Sequence, residues 1–547
     1  MRKMPDTIPD EEPENHARSA EIETAIAHQQ AGRLADALAI CRRVLDDEPD
    51  HPMGLQLLGV LQLQSGNAKQ AIATLDRLLE LHPTATGALL SLGSARHACG
   101  DDSGAEAAYR QLLEVAPQLP EGHYTLGRLL MATGRRGDGA AHLARAVALR
   151  PTWAEAVNEL GVAKLQGIEA GPDWRGAAEL FHRAAELAPD WPLPAHNLGE
   201  SLEVGGDTSA AVAVYRKVLA RWPGFDQARQ NHAYGLLKLG QFEIGWKAHE
   251  WRFAAGGRTP AREGWDVEVW DGSSFTGRTL VVWTEQGLGD NLQFVRYLPQ
   301  VAERGGRVWL QSPAVLAGLM ATCMGVDRVV VGDPPLQEID LQVPLMTLPG
   351  IFGTTLTTVP AEVPYLKPPV AVPETLLARL EAGRDELRVG LIWKSGTLMP
   401  AHAARDLDAD HVMQLLAVPG VHWFPLQFNE RLADLVGDEV ADLAIDDLGP
   451  ELGDFGATGA IVAELDLVIT VDTSALHLAG ALGKQVWALI PKPADWRWLK
   501  SRDDSPWYPT LRLFRQECPG DWRDPVTRLA AELREMAAVR RGSRPGA

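Results

Sequence analysis

The sequence predicts an array of paired helices followed by an α/β region made of two halves, each with its own parallel sheet. Two observations support this prediction. Glycine and proline recur with a 34-residue period in the first half of the chain. From Thr279 onward, short apolar strands alternate with helical segments, and a second alternation of the same kind begins at Arg388. Strands that alternate with helices form parallel sheets with helices on both faces.

Length and composition restrict the classes of protein that fit. A chain of 547 residues exceeds one ordinary core, so we expect two to four domains. The net charge of −20, without a Lys/Arg-rich run in the body of the chain, argues against binding of nucleic acid or anionic membranes. Four scattered cysteines without CxxC spacing favour a reducing cytoplasm over a disulfide framework or a zinc site.

The N-terminal stretch is not expected to be a signal peptide. Residues 1–18 are rich in Pro and Glu, so we expect them to be disordered, and they lack the apolar core of a signal peptide. No stretch approaches about 18 consecutive apolar residues, so we expect no membrane span. The sequence therefore predicts a soluble, cytoplasmic protein.

The 34-residue period appears in three series that share one register. Leu-Gly pairs, glycines and prolines mark equivalent positions, and the proline steps are 34, 34, 34, 38 and 34 residues. The prolines are Pro49, Pro83, Pro117, Pro151, Pro189 and Pro223. This pattern resembles the tetratricopeptide repeat, and it predicts about six repeats in a domain spanning residues 19–255. The 38-residue step predicts extra residues around 166–174, between the two helices of one repeat.

A stacked array of this kind forms a concave groove that binds protein segments. The alternative is a spacer or a dimerisation scaffold. The last repeat carries Trp246 and Trp251, which we expect to pack against the following domain.

Residues 256–278 contain Gly, Pro and Ser and are predicted to be a linker. The two α/β halves then cover residues 279–372 and 385–540, with a proline-rich connection at 360–373. Two successive Rossmann-like halves match the two-domain glycosyltransferase B architecture. In that fold the ligand cleft lies between the carboxyl ends of the two sheets.

Residues 465–490 are the most informative stretch of the second half. An apolar strand is followed by Asp472, Thr473 and Ser474, then by a helix, and then by a second apolar strand. The hydroxyl and carboxylate groups therefore lie where a strand ends and a helix begins. Free backbone N–H groups and the helix dipole bind phosphate at such a position.

Four motifs carry a resemblance to bacterial tetratricopeptide-repeat glycosyltransferases, which are related to the heptosyltransferase (glycosyltransferase 9) family. They are WTEQGLGDNLQFVRYLP (283–299), PAEVPYL (360–366), the stretch 453–490, and DWRWLKSRDDSPWYPTLRLFRQ (495–516). The resemblance covers about residues 20–540. It implies inverting, metal-independent transfer from a nucleotide sugar, without a cofactor. Members of the group include flagellin glycosyltransferases, in which the repeats recruit flagellin.

Asp290 follows a Gly-Leu-Gly turn after the first predicted strand. Glycine lets backbone approach a ligand, so Gly289 is a candidate donor-binding position. The heptosyltransferases use the Asp of a matching Gly-Asp turn as catalytic base, and the resemblance implies that role for Asp290. The alternative is a carboxylate that caps a helix.

The residues Asp472, Thr473, Ser474 and His477 match the family's Asp-Thr-small-x-x-His pattern. The resemblance implies that they bind the phosphates of the donor, with His477 one helical turn further along on the same face. The alternative is helix capping combined with a core histidine.

Lys394 and Arg405 flank a loop after the first strand of the second half, and a cation there would neutralise the leaving phosphate. A solvated surface loop is the alternative for each. The loop reads WKSGTLMPAHAARDL, whereas relatives read closer to WAG-N-P…ND-R-x-RS, so its contacts with the donor stay open. Gln427, in the next loop, faces the same cleft and is a further donor-binding candidate.

These observations predict a protein O-glycosyltransferase that modifies Ser or Thr of an acceptor bound by the repeats, with flagellin as the best candidate. CMP-linked nonulosonic acids and UDP-linked hexosamines both stay open as donors. Two alternative functions also stay open: transfer to a saccharide or lipopolysaccharide acceptor, and an inactive interaction scaffold.

Overall fold

A computed structural model of the protein describes residues 13–167, 171–254, 261–382, 384–396, 405–428, 430–440 and 443–542. The backbone divides into two compact units, Met1–Pro194 and Ala195–Ala547, which we call the N-terminal and C-terminal units. Part of the predicted disordered segment differs from expectation, because residues 13–18 lie in the first helix. Residues 1–12 lie outside the described part of the chain.

The N-terminal unit consists of antiparallel helix pairs. Its helices are Pro13–Gln30 (α1), Leu34–Asp47 (α2), Pro52–Gln64 (α3), Ala68–Leu81 (α4), Thr86–Ala98 (α5), Asp102–Val115 (α6), Pro120–Ala132 (α7), Arg136–Leu149 (α8), Ala154–Gln166 (α9) and Trp174–Leu187 (α10). The gap between α9 and α10 holds the extra residues of the 38-residue step, as predicted, and residues 168–170 within it are not described.

The helix pairs continue into the C-terminal unit. These helices are Pro192–Val204 (α11), Thr208–Arg221 (α12), Asp226–Lys238 (α13), Phe242–His249 (α14) and the short Trp251–Ala254 (α15). The described residues therefore contain seven helix pairs, one more than the sequence period counts.

The glycine of each Leu-Gly pair lies where the two helices of a pair touch. A Cβ atom on Gly93 would overlap the ring of Tyr109, and one on Gly199 would overlap the ring of Tyr215. Glycine is required at these positions because the facing aromatic ring occupies the space of a side chain.

Replacing Gly93 with Ala is therefore expected to destabilise the helix array by about 1–3 kcal/mol, the usual cost of overpacking a close contact. Chemical unfolding of the full chain measures this loss. Gly224→Ala is the control, because a Cβ there meets nothing within 4 Å. Equal stability of the two variants would show that the Tyr109 ring can move aside.

The first sheet of the C-terminal unit has five parallel strands in the order β1-β5-β2-β3-β4. Its strands are Glu268–Val269 (β1), Thr279–Trp283 (β2), Arg307–Gln311 (β3), Arg328–Val330 (β4) and Leu341–Pro344 (β5). Its helices are Leu288–Phe294 (α16), Leu298–Ala302 (α17), Ala314–Met320 (α18) and Leu348–Ile351 (α19).

The predicted linker 256–278 is corrected in its described part. β1 pairs with β5 at the edge of the first sheet, and Trp265, Trp270 and Phe275 are buried. Three large apolar side chains supply the burial that a linker lacks, so residues 261–278 belong to the folded unit. Residues 255–260 lie outside the described part.

The second sheet also has five parallel strands, in the order β10-β9-β8-β6-β7. Its strands are Leu387–Ile392 (β6), Val421–Pro425 (β7), Leu467–Val471 (β8), Val486–Ile490 (β9) and Leu511–Arg515 (β10). Its helices are Glu374–Ala382 (α20), Ala409–Leu416 (α21), Leu432–Val436 (α22), Phe455–Glu464 (α23), Ser474–Ala481 (α24) and Arg523–Gly542 (α25). Two parallel sheets with helices are consistent with the predicted architecture.

The last helix pair shares its core with the α/β region. Trp246 of α14 is buried and lies edge-on to Phe294, Trp496 and Trp507, with ring centroids 5.5–6.3 Å apart. Its Nε1 donates to the carbonyl of Thr354 at 3.2 Å. The predicted packing of Trp246 on the next domain is confirmed.

The prediction for Trp251 is wrong. Its indole lies under the guanidinium of Arg229, and its Nε1 donates to Asp226, so Trp251 packs within its own helix pair. Across the described helices, none combines the length and apolar character needed to cross a membrane.

Candidate functional site

The candidate site forms where the first turn of α16 meets the first turn of α24. A Cβ placed on Gly289 would lie 2.8 Å from Cδ2 of His477 and 3.6 Å from Cα of Ser474. The absence of a side chain at Gly289 therefore allows the two helix ends to touch. This contact brings Asp290 of the first half beside the predicted donor-binding residues of the second half.

Asp290 is the third residue of α16 and caps that helix. Its Oδ2 accepts the Gly287 N–H at 2.8 Å, and its Oδ1 accepts a hydrogen bond from Nη2 of Arg497. Burial raises the pKa of Asp290, while the charge of Arg497 and the Gly287 N–H act in the opposite direction. The carboxylate thus caps a helix and also faces a charged cluster.

Arg497 is the centre of that cluster, and sequence reasoning did not single it out. Its Nε donates to Oε1 of Gln293 at 2.8 Å, and its Nη1 donates to Oδ1 of Asp495 at 2.8 Å. Only about 10% of its side chain is exposed. Asp290 and Gln293 belong to the first half, so this one guanidinium joins the two halves. The only sequence signal was its place in the aromatic-rich motif at 495–516.

His477 is buried and has partners on two sides. Its Nδ1 lies 2.9 Å from the hydroxyl of Tyr508, and its ring stacks on Trp498 with centroids 5.5 Å apart. Burial, with a further contribution from the charge of Arg497, lowers the pKa of His477 from 6.5 to about 3. The imidazole is therefore neutral near neutral pH and can offer one N–H to a ligand.

This shift predicts a pH-dependent stability. Between pH 6.5 and about 3 the unfolded state binds a proton at His477 and the folded state does not, so the free energy of unfolding falls as pH falls through this window. The contribution is about 1.4 kcal/mol per pH unit. His477→Asn should flatten the pH dependence by that amount in denaturant titrations. An unchanged slope would mean that the histidine is protonated in the folded state.

Arg405 and Asp472 are in contact at the start of α24. The hydroxyl group of Thr473, the next residue, does not cap that helix. Nη1 of Arg405 donates to the backbone carbonyl of Asp472 at 3.1 Å and lies 3.9 Å from its Oδ2. Burial raises the pKa of Asp472. Thr473 is the N-cap residue of α24, but its side chain makes no capping hydrogen bond. Half-buried Thr473 and Ser474 therefore present hydroxyl groups at a helix N-terminus.

Asp495 is a second acid beside Arg497. Burial favours its neutral form, but the charge of Arg497 and its hydrogen bonds outweigh burial and lower the pKa of Asp495. The cluster therefore contains three carboxylates, Asp290, Asp472 and Asp495, and two guanidinium groups.

Lys394 and Gln427 form a separate pair. Oε1 of Gln427 accepts the Lys394 N–H at 3.0 Å, and Nζ of Lys394 lies 3.1 Å from the carboxylate of Glu430. Gln427 is buried, while the Lys394 side chain is exposed and ion-paired. The structure places neither side chain in hydrogen-bond contact with Asp290, Arg497 or His477. Residues 397–404 of the same loop are not described.

Arg296 is buried between aromatic rings, one of which, Tyr508, contacts His477. Its guanidinium carbon is 4.5 Å from the ring centroids of Tyr365 and Tyr508, and its Nη2 donates to the hydroxyl of Tyr365 at 2.8 Å. Tyr508 in turn contacts His477. This buried network holds the imidazole against the turn of Gly289 and was not anticipated from the sequence.

The loop that leads to Asp290 is anchored by α15, the short helix that follows the last helix pair. Arg252 of α15 donates two hydrogen bonds to the carboxylate of Glu285, at 2.7 and 2.8 Å, and a third to Thr347. Both charged side chains are almost fully buried, with exposed fractions of 15% and 11%. Gln286, which follows, has a φ of +59°, a conformation that non-glycine residues rarely adopt.

A cavity of about 470 Å³ opens at the carboxyl ends of β2, β3 and β4. It is lined by Arg262, Trp283, Thr284, Glu285, Gln286, Asn291, Gln311, Ser312, Pro313, Val331 and Gly332. The lining includes Asn291, the neighbour of Asp290 in the chain, but does not include Asp290 itself. The Oδ1 atom of buried Asn291 has no hydrogen-bond partner among the described residues. The cavity therefore offers amide and hydroxyl groups near the first turn of α16.

Comparison with known proteins supports the repeat assignment. Family models described as tetratricopeptide repeat match residues 28–92, 88–122 and 196–224. Among solved structures, the chain is similar to the tetratricopeptide protein TTC0263 of Thermus thermophilus, with 22% identity, a TM-score of 0.30 and coverage of 34% of this chain and 98% of that one. It is also similar to pilF of Pseudomonas aeruginosa, with 14% identity, a TM-score of 0.36 and coverage of 40% and 98%.

The first half of the chain is therefore a tetratricopeptide-repeat solenoid, and the period read from the sequence is confirmed. Over a longer span the chain is similar to Protein FlbA of Caulobacter vibrioides, with 29% identity over an alignment of 446 residues that covers 73% of this chain and 73% of that protein. That span exceeds the repeats, so the similarity includes α/β residues as well.

Proposed function

We propose that this chain is a protein O-glycosyltransferase that moves a sugar from a nucleotide-sugar donor to Ser or Thr of a protein acceptor. One observation carries the proposal: Gly289, the residue before Asp290, lies against Ser474 and His477 in the N-terminal turn of α24. A base and a phosphate-binding helix end are therefore side by side, which inverting transfer requires.

Each part of the reaction has a candidate group. Thr473, Ser474 and the first N–H groups of α24 bind the donor phosphate, and neutral His477 donates one more hydrogen bond. Asp290 takes the proton of the acceptor hydroxyl as the new glycosidic bond forms. Arg405 lies close enough to Asp472 to add positive charge at the same helix end.

The acceptor segment occupies the cavity at the carboxyl ends of β2, β3 and β4, which Asn291 lines. Its amide and hydroxyl lining suits the backbone and hydroxyl groups of a Ser/Thr-containing peptide. The repeats supply the binding groove that recruits the acceptor protein, because concave solenoid faces bind protein segments. Flagellin is the acceptor that the resemblance to flagellin glycosyltransferases favours.

Intact-mass analysis of flagellin tests the proposal. Flagellin produced with this chain should gain the mass of one or more sugars, and flagellin produced with the Asp290→Ala or His477→Ala variant should not. The size of the increment identifies the sugar. If flagellin stays unmodified with the wild-type protein and another surface protein or a saccharide gains the sugar, then that molecule replaces flagellin as the acceptor.

The division of the chain at residue 194 gives a sharper test of the repeats than removal of residues 1–255. Leu237, Phe242 and Trp246 are part of the α/β core, so the longer deletion would disrupt that core. A chain that lacks residues 1–194 should no longer transfer sugar to protein, but it should still bind the donor. Undiminished transfer to a saccharide acceptor would favour that alternative function.

A further inference from the structure

The guanidinium of Arg497 donates hydrogen bonds to two carboxylates and to one side-chain amide oxygen. Asp495 is a local partner, two residues away, and accepts from both the backbone N–H and Nη1 of Arg497. Asp290 and Gln293 are distant partners from the other half of the unit. The local partner keeps the arginine in position even if the contact with Asp290 is broken.

The contact with Arg497 weakens Asp290 as a general base. A base must lie within hydrogen-bond reach of the acceptor hydroxyl and must be basic enough to take its proton. Here Oδ2 accepts from Gly287 and Oδ1 accepts from Arg497. Each carboxylate oxygen can accept a second hydrogen bond, but the positive charge of Arg497 lowers the proton affinity of Asp290.

The donor phosphate would lie within reach of the same guanidinium. His477, one turn along α24 from the phosphate-binding residues, stacks on Trp498 and feels the charge of Arg497. Asp290 itself follows Gly289, which touches Ser474. A phosphate at the N-terminus of α24 therefore competes with Asp290 for Nη2, and arginine binds phosphate strongly through charge-assisted hydrogen bonds.

We propose that Arg497 exchanges partners during turnover, binding Asp290 as in this structure and binding the phosphate of the donor when the nucleotide sugar enters. Donor binding thereby removes the cation from Asp290 and makes its carboxylate a stronger base. This inference rests on the proposed function and adds to it a further catalytic residue.

The chemical step conserves atoms and charge. The acceptor oxygen forms a bond to the anomeric carbon, and the bond between that carbon and the phosphate oxygen breaks. The electron pair leaves on the phosphate oxygen, where Arg497 stabilises the negative charge. The hydroxyl proton passes to Oδ1 of Asp290, the oxygen that Arg497 has released.

The exchange changes the proton affinity of Asp290 in a defined direction. The charged groups that act on Asp290 are Glu285 on its own loop and Asp495 and Arg497 on the facing segment. Arg497 also acts on Asp472, His477 and His249. Arg497 is the cation that holds the pKa of Asp290 down, against burial and the two nearby acids. Its departure raises that pKa, so the fraction of a proton that Asp290 takes up on donor binding grows as the pH falls, while the fraction that stays ionised acts as the stronger base.

Calorimetric titration of the full chain with UDP and with CMP tests the exchange. Repeating each titration in buffers of different ionisation enthalpy counts the protons taken up on binding. Wild-type protein should take up more protons than Asp290→Asn, which removes the base. Arg497→Gln should bind the nucleotide about 10- to 100-fold more weakly, as expected for the loss of a charge-assisted hydrogen bond, and should show no extra uptake.

Two further variants separate this role from a structural one. Arg497→Lys keeps the charge and should restore part of the affinity and part of the proton uptake. Arg388→Gln is the matched control, since it breaks an arginine–aspartate pair of similar burial with Asp466 and should leave both readouts at wild-type values.

The outcomes separate the partner exchange from the proposed function. Wild-type affinity and wild-type proton uptake in Arg497→Gln would overturn the partner exchange and leave the proposed function standing. Equal proton uptake by wild type and Asp290→Asn would overturn it as well. If the wild-type chain binds neither UDP nor CMP, the nucleotide-sugar donor and the role of Arg497 both fall.

Discussion

Asp290→Asn is expected to lower the rate of sugar transfer by about 10²- to 10⁴-fold, the usual contribution of a general base. The amide keeps the shape of the side chain and can still accept the Gly287 N–H, so α16 should stay capped. What the variant loses is the negative charge that takes the proton. The rate of mass increase of flagellin measures the effect.

Asp434→Asn provides the matched control for this prediction. Asp434 is also the third residue of a short helix, α22, and its carboxylate accepts the N–H of Arg431 at 3.3 Å. Loss of its charge should reproduce any capping cost and leave transfer unchanged. If Asp290→Asn keeps a rate close to that of Asp434→Asn, then Asp290 only caps its helix.

Arg252→Met is expected to lower the free energy of unfolding by about 3–5 kcal/mol, because it leaves the buried carboxylate of Glu285 without its cation. Glu285 also accepts the N–H of Met346, so the loop that carries Gly287 and Asp290 would lose an anchor. Transfer activity should therefore fall even under conditions where the variant is folded. Equilibrium unfolding and the transfer assay measure the two effects.

A double variant and a surface pair complete this experiment. Arg252→Met combined with Glu285→Gln removes the uncompensated charge and should regain a large part of the lost stability. Arg528→Met breaks an exposed pair with Asp524 on α25 and should cost less than about 1 kcal/mol. Equal losses in Arg252→Met and Arg528→Met would mean that water reaches Glu285.

Some elements could be predicted to the residue because their signal is local. The apolar runs at 279–283 and 307–311 predict strands with those bounds, because short apolar runs between polar turns are typical of buried parallel strands, and the structure has Thr279–Trp283 and Arg307–Gln311. The sequence predicts no strand at Leu511–Arg515 (β10), because arginine stands at two of its five positions, and Arg512 is exposed at the edge of the sheet. An edge strand needs no continuous apolar run.

The helix after β2 shows how a distant turn overrides local propensity. The residues after β2 predict a single helix from about 292 to 303. The structure instead has α16, which begins at Leu288 and ends before a 3₁₀ turn, and α17, which starts beside Pro299. Gly287 and Gly289 disfavour a helix, but Asp290 caps the Gly287 N–H and so starts the helix early. Glycine is needed at position 289 because His477 occupies the space that a side chain there would fill.

The candidate site was predictable only in part, because local motifs do not reveal contacts between segments that are distant in the sequence. Motifs reveal residues that are close in sequence, so Asp290 and the group around Thr473 could each be identified. Arg497 lies 207 residues from Asp290, and only the packing of the two halves brings them together. The same holds for Arg252 and Glu285, which no local pattern connects.

The assignment of the last helix pairs to the C-terminal unit has an evolutionary consequence. Because α13 and α14 are part of the α/β core, they cannot be gained or lost without affecting folding there. The repeats before Pro194 lie outside that core, and they follow a 34-residue register with one 38-residue step. Duplication or loss of a repeat there could therefore alter the surface of the helix array while leaving the α/β core unchanged.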